Sequence, residues 1–188
     1  MIPILETPEI RHRALPISVQ TWHRMQEQDL VSKRAELIRG VIVEKMSKSP
    51  LHTLLADQLR ELLHEWAAGR YWVRLEQPLT LSDSEPEPDI SVVTGSRHDY
   101  TVSHPSTALL VVEVCVSSSI GDREMLPLYA SAGVSEVWLV LAATKQVERF
   151  LRPKNGAYQE SQIVGPDEEL SSGSLPGFAL PLKRLFPS

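Results

Sequence analysis

Two carboxylates lie in or beside apolar stretches that favour β-strands. Glu113 interrupts the apolar run 109–116, and Asp89 follows Pro88 at the start of a second apolar run. An ionised carboxylate is costly to bury unless it is paired with a cation or bound to a metal. Carboxylates at the ends of adjacent strands form a hard oxygen site, which suits Mg²⁺ because this ion needs only one or two protein carboxylates.

A structural role is the alternative for each of these carboxylates. Glu113 would then lie at a sheet edge beside an arginine, since buried charges are usually paired. Residues 83–89 are acidic, and such a stretch is by itself typical of a solvated loop. Asp89 differs from its acidic neighbours because the apolar residues that follow it draw it toward the sheet.

A β-α-β unit is predicted around Glu113. The apolar, β-branched run 108–116 is typical of a central strand covered on both faces. A turn at 117–121, a helix over 122–132 and a strand over 137–141 follow. Pro127 predicts a kink or a late start of that helix. Strands that flank a helix in this way indicate a mixed sheet, and therefore an α/β fold.

Side-chain direction in the central strand follows from its two-residue period. Glu113 and Cys115 share one face, whereas Val112 and Val114 face the other way. The remaining elements are a helix at 18–29 capped by Ser18, a hairpin at 36–44 turning at Arg39-Gly40, a helix at 51–68 capped by Gly69, and strands at 71–81, 88–93 and 146–151.

Composition limits the class of protein. With 188 residues the chain is expected to form one domain, preceded by an irregular lead-in at 1–17. Lys and Arg number 19 against 24 Asp and Glu, and the net charge of −5 excludes a simple basic nucleic-acid coat but not a locally basic groove. The single cysteine, Cys115, excludes an internal disulfide framework and a cysteine-based zinc site.

No membrane segment and no secretory leader are predicted. The chain has no run of about 18 uncharged apolar residues, and its first nine residues are too polar for a secretory signal. The cytoplasm is therefore the expected compartment.

The chain resembles the PD-(D/E)XK restriction-endonuclease-like superfamily, and more closely the Uma-type putative restriction endonuclease family of bacteria. The matching pieces cover roughly residues 15–186, and their order and spacing are more specific than any one of them. They are Glu36-Leu37-Ile38-Arg39-Gly40, Met46-Ser47 and then His52, Pro88-Asp89, Val112-Glu113-Val114, Ser117-Ser118, Asp122-Arg123, and Tyr129-Ala130 through Gly133 to Trp138-Leu139-Val140.

This resemblance implies a restriction endonuclease-like α/β fold with a central mixed sheet flanked by helices. It implies an endonuclease that hydrolyses nucleic-acid phosphodiesters, with DNA favoured over RNA. Asp89 and Glu113 would hold Mg²⁺ or Mn²⁺, and Glu36 would complete the acidic cluster as a ligand or through a water. A homodimer is a further expectation, because nucleases that cut two strands are often dimeric.

Two positions depart from the pattern that the resemblance implies. The superfamily lysine is Cys115 here, but small residues are usual there in the Uma-type family, in which the next helix is thought to supply the lysine. That helix position is Met125, and a position that is commonly acidic is Val116. Met125 and Val116 support a rival hypothesis, a catalytically degenerate protein that binds nucleic acid or another protein.

Other polar residues leave alternatives open. Lys45 and Lys48 lie beside the Glu36 hairpin and are candidates for the missing cation. Arg123 is a poorer candidate, because it lies two residues before Met125 and therefore about 200° round the helix from it. His52 would contact phosphate or a carboxylate, or serve as a half-buried residue at a helix start, and the second interpretation is favoured. Asp122 is expected to cap the helix that follows it.

Overall fold

The computed structural model describes residues 8–11, 13–45 and 47–186. Residue contacts divide the chain into two units. The first comprises the chain up to Lys45 together with the separate segment Ser82–Pro86, and the second comprises the rest. The expectation of a single domain over 1–188 stays a prediction. Residues 1–7 and 12 of the lead-in, and Met46 of the Met46-Ser47 piece, lie outside the described residues.

The first unit contains a capped helix and a tight hairpin. Its elements are α1 (Pro8–Arg11), α2 (Val19–Glu27), β1 (Ala35–Ile38) and β2 (Val41–Glu44). Ser18 caps α2 by accepting a hydrogen bond from the backbone N–H of Thr21, as predicted. The predicted hairpin is also confirmed, because Ile38 pairs with Val41 across a two-residue turn.

Arg39 and Gly40 at this turn have φ angles of 49° and 74°. Two successive positive φ values are the geometry that matches the twist of a two-residue hairpin. A side chain at Gly40 would place its Cβ 2.4 Å from the Cβ of Pro16, so the turn also needs glycine for space.

The acidic stretch 83–89 is not a solvated loop, contrary to the expectation for it. Glu85 is only 4% exposed. Its carboxylate accepts a hydrogen bond from Trp22 Nε1 at 3.1 Å and lies 2.6 Å from His23 Nε2, while its backbone N–H donates to the carbonyl of Leu37. The expectation was wrong because charge composition does not show that aromatic N–H groups are available to satisfy a buried carboxylate.

A six-stranded mixed sheet forms the centre of the second unit, which confirms the predicted fold class. The strand order is β3-β4-β5-β6-β7-β8, with β5 and β6 parallel and all other neighbours antiparallel. The strands are β3 (Tyr71–Leu75), β4 (Ile90–Thr94), β5 (Leu110–Cys115), β6 (Glu136–Leu141), β7 (Gln146–Lys154) and β8 (Ala157–Val164).

Two long helices and a small sheet complete this unit. The helices are α3 (Pro50–Ala67) and α4 (Ile120–Ser131), the small sheet pairs β9 (Glu169–Ser171) with β10 (Ala179–Pro181), and single 3-10 turns occur at Arg97–Tyr100 and Leu182–Arg184. None of the helices in the described part of the chain has the length and hydropathy that a membrane crossing needs.

Apolar residues on the two faces of the sheet pack into separate clusters. Val112 and Val114 of β5 pack in one cluster with the apolar stripe of α3. Val111 and Cys115 pack in the other with Leu128 and Tyr129 of α4. The strand alternation predicted around Glu113 is therefore confirmed, and the β5-α4-β6 crossover is the predicted β-α-β unit.

Two predicted boundaries were wrong. The strand expected over 71–81 ends at Leu75, because Glu76 adopts a left-handed φ of 50° that no strand accommodates. The helix expected over 122–132, with a kink or a late start at Pro127, begins two residues earlier at Ile120 and contains Pro127. The predicted cap of α3 shifts by one residue, since Ala68 already takes the left-handed conformation before Gly69.

Glu136 is fully buried at the start of β6 and has no cation among its hydrogen-bond partners in the described residues. Its Oε1 accepts from Trp138 Nε1 at 2.6 Å. Its Oε2 accepts from the Ser172 hydroxyl and from the backbone N–H groups of Gly173 and Ser174 at 2.7, 3.0 and 2.9 Å. The carboxylate therefore holds the loop at 172–174 against the sheet.

We predict that Glu136→Ala lowers the free energy of unfolding by about 3 kcal/mol, because several buried donors lose their acceptor at once. Urea unfolding followed by circular dichroism measures the change. Glu160→Ala is the matched control, since this half-exposed acid pairs only with Arg152 at the surface and should change stability by less than about 1 kcal/mol. Equal effects of the two substitutions would contradict the structural role of Glu136.

Candidate active site

Asp89 lies directly before β4, is 7% exposed, and is surrounded by donors. Its Oδ1 lies 2.7 Å from Lys48 Nζ. Its Oδ2 lies 2.9 Å from His52 Nε2 and accepts a 2.7 Å hydrogen bond from the backbone N–H of Val114. A buried aspartate with three donors is stabilised in its ionised form.

Glu113 lies on β5 next to Asp89, as the sequence predicted. The antiparallel register pairs Ile90 with Val112. Asp89, which directly precedes Ile90, therefore lies opposite Glu113, which directly follows Val112. Glu113 Oε2 accepts a 3.2 Å hydrogen bond from the backbone N–H of Asp89. Its Oε1 accepts a 2.6 Å hydrogen bond from the hydroxyl of Tyr129 on α4. The two carboxylates are thus joined through the backbone of adjacent strands.

The start of α3 brings two cationic or polar side chains to Asp89. Ser49 caps the helix by accepting from the backbone N–H of His52, and Pro50 occupies the first turn, where its missing N–H costs nothing. Lys48 therefore precedes the cap, and His52 projects from the first turn. The favoured interpretation of His52 as a helix-start residue alone is incomplete, because its ring also contacts Asp89.

Lys48 bridges two acids. Besides Asp89, its Nζ lies 3.0 Å from Glu76 Oε1. Burial of Lys48 works to lower its pKa, but the hydrogen bonds and charges of Asp89 and Glu76 outweigh burial and raise it. The ammonium is therefore firmly charged. The sequence named Lys48 as a candidate cation but gave no spacing that separates it from Lys45.

The two carboxylates have opposite pKa shifts. Burial raises the pKa of Glu113 well above its usual 4.5, and the nearby charge of Asp89 raises it further, against the hydrogen bond from Tyr129. Burial also works to raise the pKa of Asp89, but hydrogen bonds from His52 and Lys48 outweigh it, so the pKa lies below the usual 3.8. Neighbouring acids whose pKa values are shifted in opposite directions are typical of functional sites.

Asp122 is a third acid near this pair, and sequence reasoning missed it. Burial raises its pKa, and the charge of Asp89 adds to this effect. It accepts a hydrogen bond from the thiol of Cys115, whose own pKa is raised by burial and by Asp122. The expected capping role is wrong, because Ser119 is the N-cap residue of α4. The Asp122-Arg123 piece of the resemblance was the signal that could have identified it.

The other candidates lie in different environments. Glu36 belongs to the first unit, where Lys45 Nζ lies 3.8 Å from its Oε1, and its part in the site stays a prediction. Arg123 pairs with Glu148 at 2.5 Å. Met125 is partly buried against the apolar cluster that contains Tyr129, and Val116 packs against the cluster on the other face.

Comparison with known proteins identifies the family. The family profile described as "Uma2: Putative restriction endonuclease" matches residues 19–183. The chain belongs to the Uma2 family. The predicted resemblance is thereby confirmed, and the match spans the carboxylates, Lys48 and His52.

A solved structure shares the Uma2 fold. It is the crystal structure of a putative nuclease belonging to DUF820 from Anabaena variabilis ATCC 29413, with a TM-score of 0.74 and 19% sequence identity. The match covers 91% of this chain and 98% of that one. No curated protein matches the chain. The restriction endonuclease-like fold is therefore shown.

The donor set at the Uma2 site suits a hard divalent cation. Asp89 and Glu113 offer carboxylate oxygens that lie close together on neighbouring segments of the sheet. Burial, and the nearby charge of Asp89, raise the pKa of Glu113, and a divalent cation bound there would favour its ionised form. Within residues 8–11, 13–45 and 47–186, no group of three or more His, Cys, Asp or Glu is arranged to hold a metal. Mg²⁺ needs no such group, because one or two carboxylates suffice.

We predict that Glu113→Gln stabilises the metal-free protein increasingly as pH rises. An acid whose pKa is raised on folding contributes stability below pH 4.5 and loses it as pH rises through the raised pKa. Asp89→Asn should instead destabilise the metal-free protein, and this destabilisation should shrink as pH falls below 3.8. An acid with a lowered pKa contributes stability above its ordinary pKa and loses it as pH falls through the lowered one. Urea unfolding in EDTA measures both differences, from about pH 4.5 to pH 8 for Glu113→Gln and below about pH 5 for Asp89→Asn.

A constant stability difference between Glu113→Gln and the wild type over this pH range would contradict the shift assigned to Glu113. Asp167→Asn provides the baseline, because this acid is exposed in a turn.

Proposed function

We propose that this Uma2 protein is a metal-dependent endonuclease that hydrolyses nucleic-acid phosphodiesters, with DNA as the preferred substrate. Asp89 and Glu113 would hold Mg²⁺ or Mn²⁺. The single observation that carries the proposal is the joined pair of carboxylates, Asp89 buried and Glu113 half-buried, with an ammonium 2.7 Å from Asp89. Family membership supports the nuclease class.

A bound divalent cation would polarise a phosphoryl oxygen and lower the pKa of a bound water, which generates a nucleophile near neutral pH. The protein's own residues prepare for this. Asp89 stays ionised because His52 and Lys48 stabilise its charge. Tyr129 fixes one oxygen of Glu113 and the backbone N–H of Asp89 fixes the other, so neither carboxylate must be reoriented when the cation binds.

Glu36 remains part of this proposal as a supporting acid. It lies on β1, where it is partly buried and pairs with Lys45. A homodimer also belongs to the proposal, as the arrangement expected of a nuclease that cuts two strands. Light scattering of the purified protein measures the oligomeric state.

A second candidate is a degenerate nuclease fold that binds nucleic acid or protein without cleaving. Met125 and Val116 favour it, because both are apolar and pack against core clusters. Neither side chain can donate a hydrogen bond to a phosphate oxygen. The proximity of Lys48 to Asp89 favours the nuclease, since it provides a cation that these two positions lack.

We predict that the wild type nicks or linearises plasmid DNA in Mg²⁺ or Mn²⁺ and not in EDTA. Asp89→Asn should lower the rate by at least about 10²-fold, because it removes a charge that stabilises the bound cation. Agarose-gel assays measure cleavage, and titration calorimetry of the same two proteins measures metal binding. Asp167→Asn controls for a general change of charge and should behave as the wild type.

Metal-dependent cleavage that survives Asp89→Asn would reject the site, and would indicate a contaminating nuclease. No cleavage of DNA or RNA by a wild type that binds DNA would favour the degenerate binder.

A further inference from the structure

Cys115 and Met125, at the positions where the resemblance implies a lysine, carry no positive charge. Each side chain is apolar or neutral, and Cys115 is held uncharged because burial raises its pKa. A phosphodiesterase site nevertheless benefits from a fixed positive charge near the phosphate, where charge develops in the transition state. The structure shows a different residue that brings such a charge to the carboxylates.

We infer that Lys48 supplies this charge, and that it shares Asp89 with the divalent cation. The inference rests on the proposed function. Lys48 comes from the segment before α3 rather than from β5 or α4, so the charge reaches the site from a different element. The Lys48 ammonium is thus chemically equivalent to the lysine that the resemblance implies, but it comes from a different part of the chain.

The position of Lys48 is well defined by its surroundings. Its Nζ lies 2.7 Å from Asp89 Oδ1 and 3.0 Å from Glu76 Oε1, and its side chain is 30% exposed. Ser49, the next residue, is fixed as the cap of α3. The ammonium is therefore held at the carboxylates and is still open to solvent on one side, as a group that meets a substrate must be.

Glu76 adds an independent observation. Its φ of 50° is left-handed, a conformation that costs a non-glycine residue about 1 kcal/mol or more. This strained residue ends β3, and its backbone N–H donates to the carbonyl of Asp89 at 3.1 Å. This residue is next to Lys48 in space, with its carboxylate 3.0 Å from the ammonium.

The two acids give Lys48 two alternative partners. A divalent cation and the ammonium both favour Asp89 Oδ1, so they compete for it. When the cation takes Asp89, Glu76 keeps the ammonium at the site, where it can face a phosphate oxygen. Arg123 cannot take this part because Glu148 holds its guanidinium at 2.6 Å.

The test compares Lys48→Met, Lys48→Arg and the wild type by two measurements, Mg²⁺ titration calorimetry and plasmid cleavage. Lys48→Met should bind Mg²⁺ about tenfold more tightly, because Asp89 loses its competing cation. The same variant should cleave about 10²-fold more slowly. Lys48→Arg keeps the charge and should stay within about tenfold of the wild type in both measurements. Lys183→Met, at an exposed lysine, is the matched control.

Opposite changes in metal affinity and cleavage support the inference, because a merely structural lysine would weaken both or neither. Unchanged Mg²⁺ affinity in a folded Lys48→Met protein overturns it, as does cleavage at the wild-type rate. The proposed function fails separately: a wild type that binds Mg²⁺ without cleaving rejects the nuclease, while tighter binding by Lys48→Met still supports the sharing of Asp89. A wild type that does not bind Mg²⁺ overturns both.

Discussion

The close approach of two carboxylates in the central sheet, Asp89 buried and Glu113 half-buried, is the constraint on which the second unit of this Uma2 protein depends. Asp89 directly precedes β4 and Glu113 lies on the adjacent β5, where the protein shields both charges from most of the water. Asp89 is compensated by Lys48, His52 and a backbone N–H, and its pKa falls. Among the described residues, Glu113 accepts hydrogen bonds from the backbone N–H of Asp89 and the hydroxyl of Tyr129, and burial raises its pKa. A divalent cation at this pair would favour the ionised form of Glu113.

Each element around the pair can be understood from this constraint. The capped start of α3 provides His52 and Lys48, the β5-α4-β6 crossover provides Tyr129, and the early end of β3 provides Glu76. Apolar packing on both faces of β5 fixes the backbone that carries Glu113. Glu136, on the next strand, is a useful contrast, because its buried carboxylate accepts hydrogen bonds from Trp138 and from the loop at 172–174.

Much of the sheet and the acid pair could be predicted from sequence, because both depend on local periodicity. The run 108–116 predicts its own strand, and a carboxylate inside it is conspicuous. Lys48, Glu76 and Asp122 could not be assigned in this way. Their roles depend on contacts between residues far apart in the chain, on a left-handed φ and on burial, none of which has a spacing signature. The buried Glu85 was misjudged for the same reason.

The most direct test of the carboxylate pair as a cation site is the anomalous diffraction of crystals grown or soaked with Mn²⁺. We expect one strong anomalous peak within ligand distance, about 2.0–2.6 Å, of carboxylate oxygens from both Asp89 and Glu113. We also expect Lys48 Nζ to lie farther from Asp89 and closer to Glu76 than in the metal-free protein. Crystals that show Mn²⁺ only at other residues, or that retain the Lys48–Asp89 pair without a peak at saturating Mn²⁺, would contradict it.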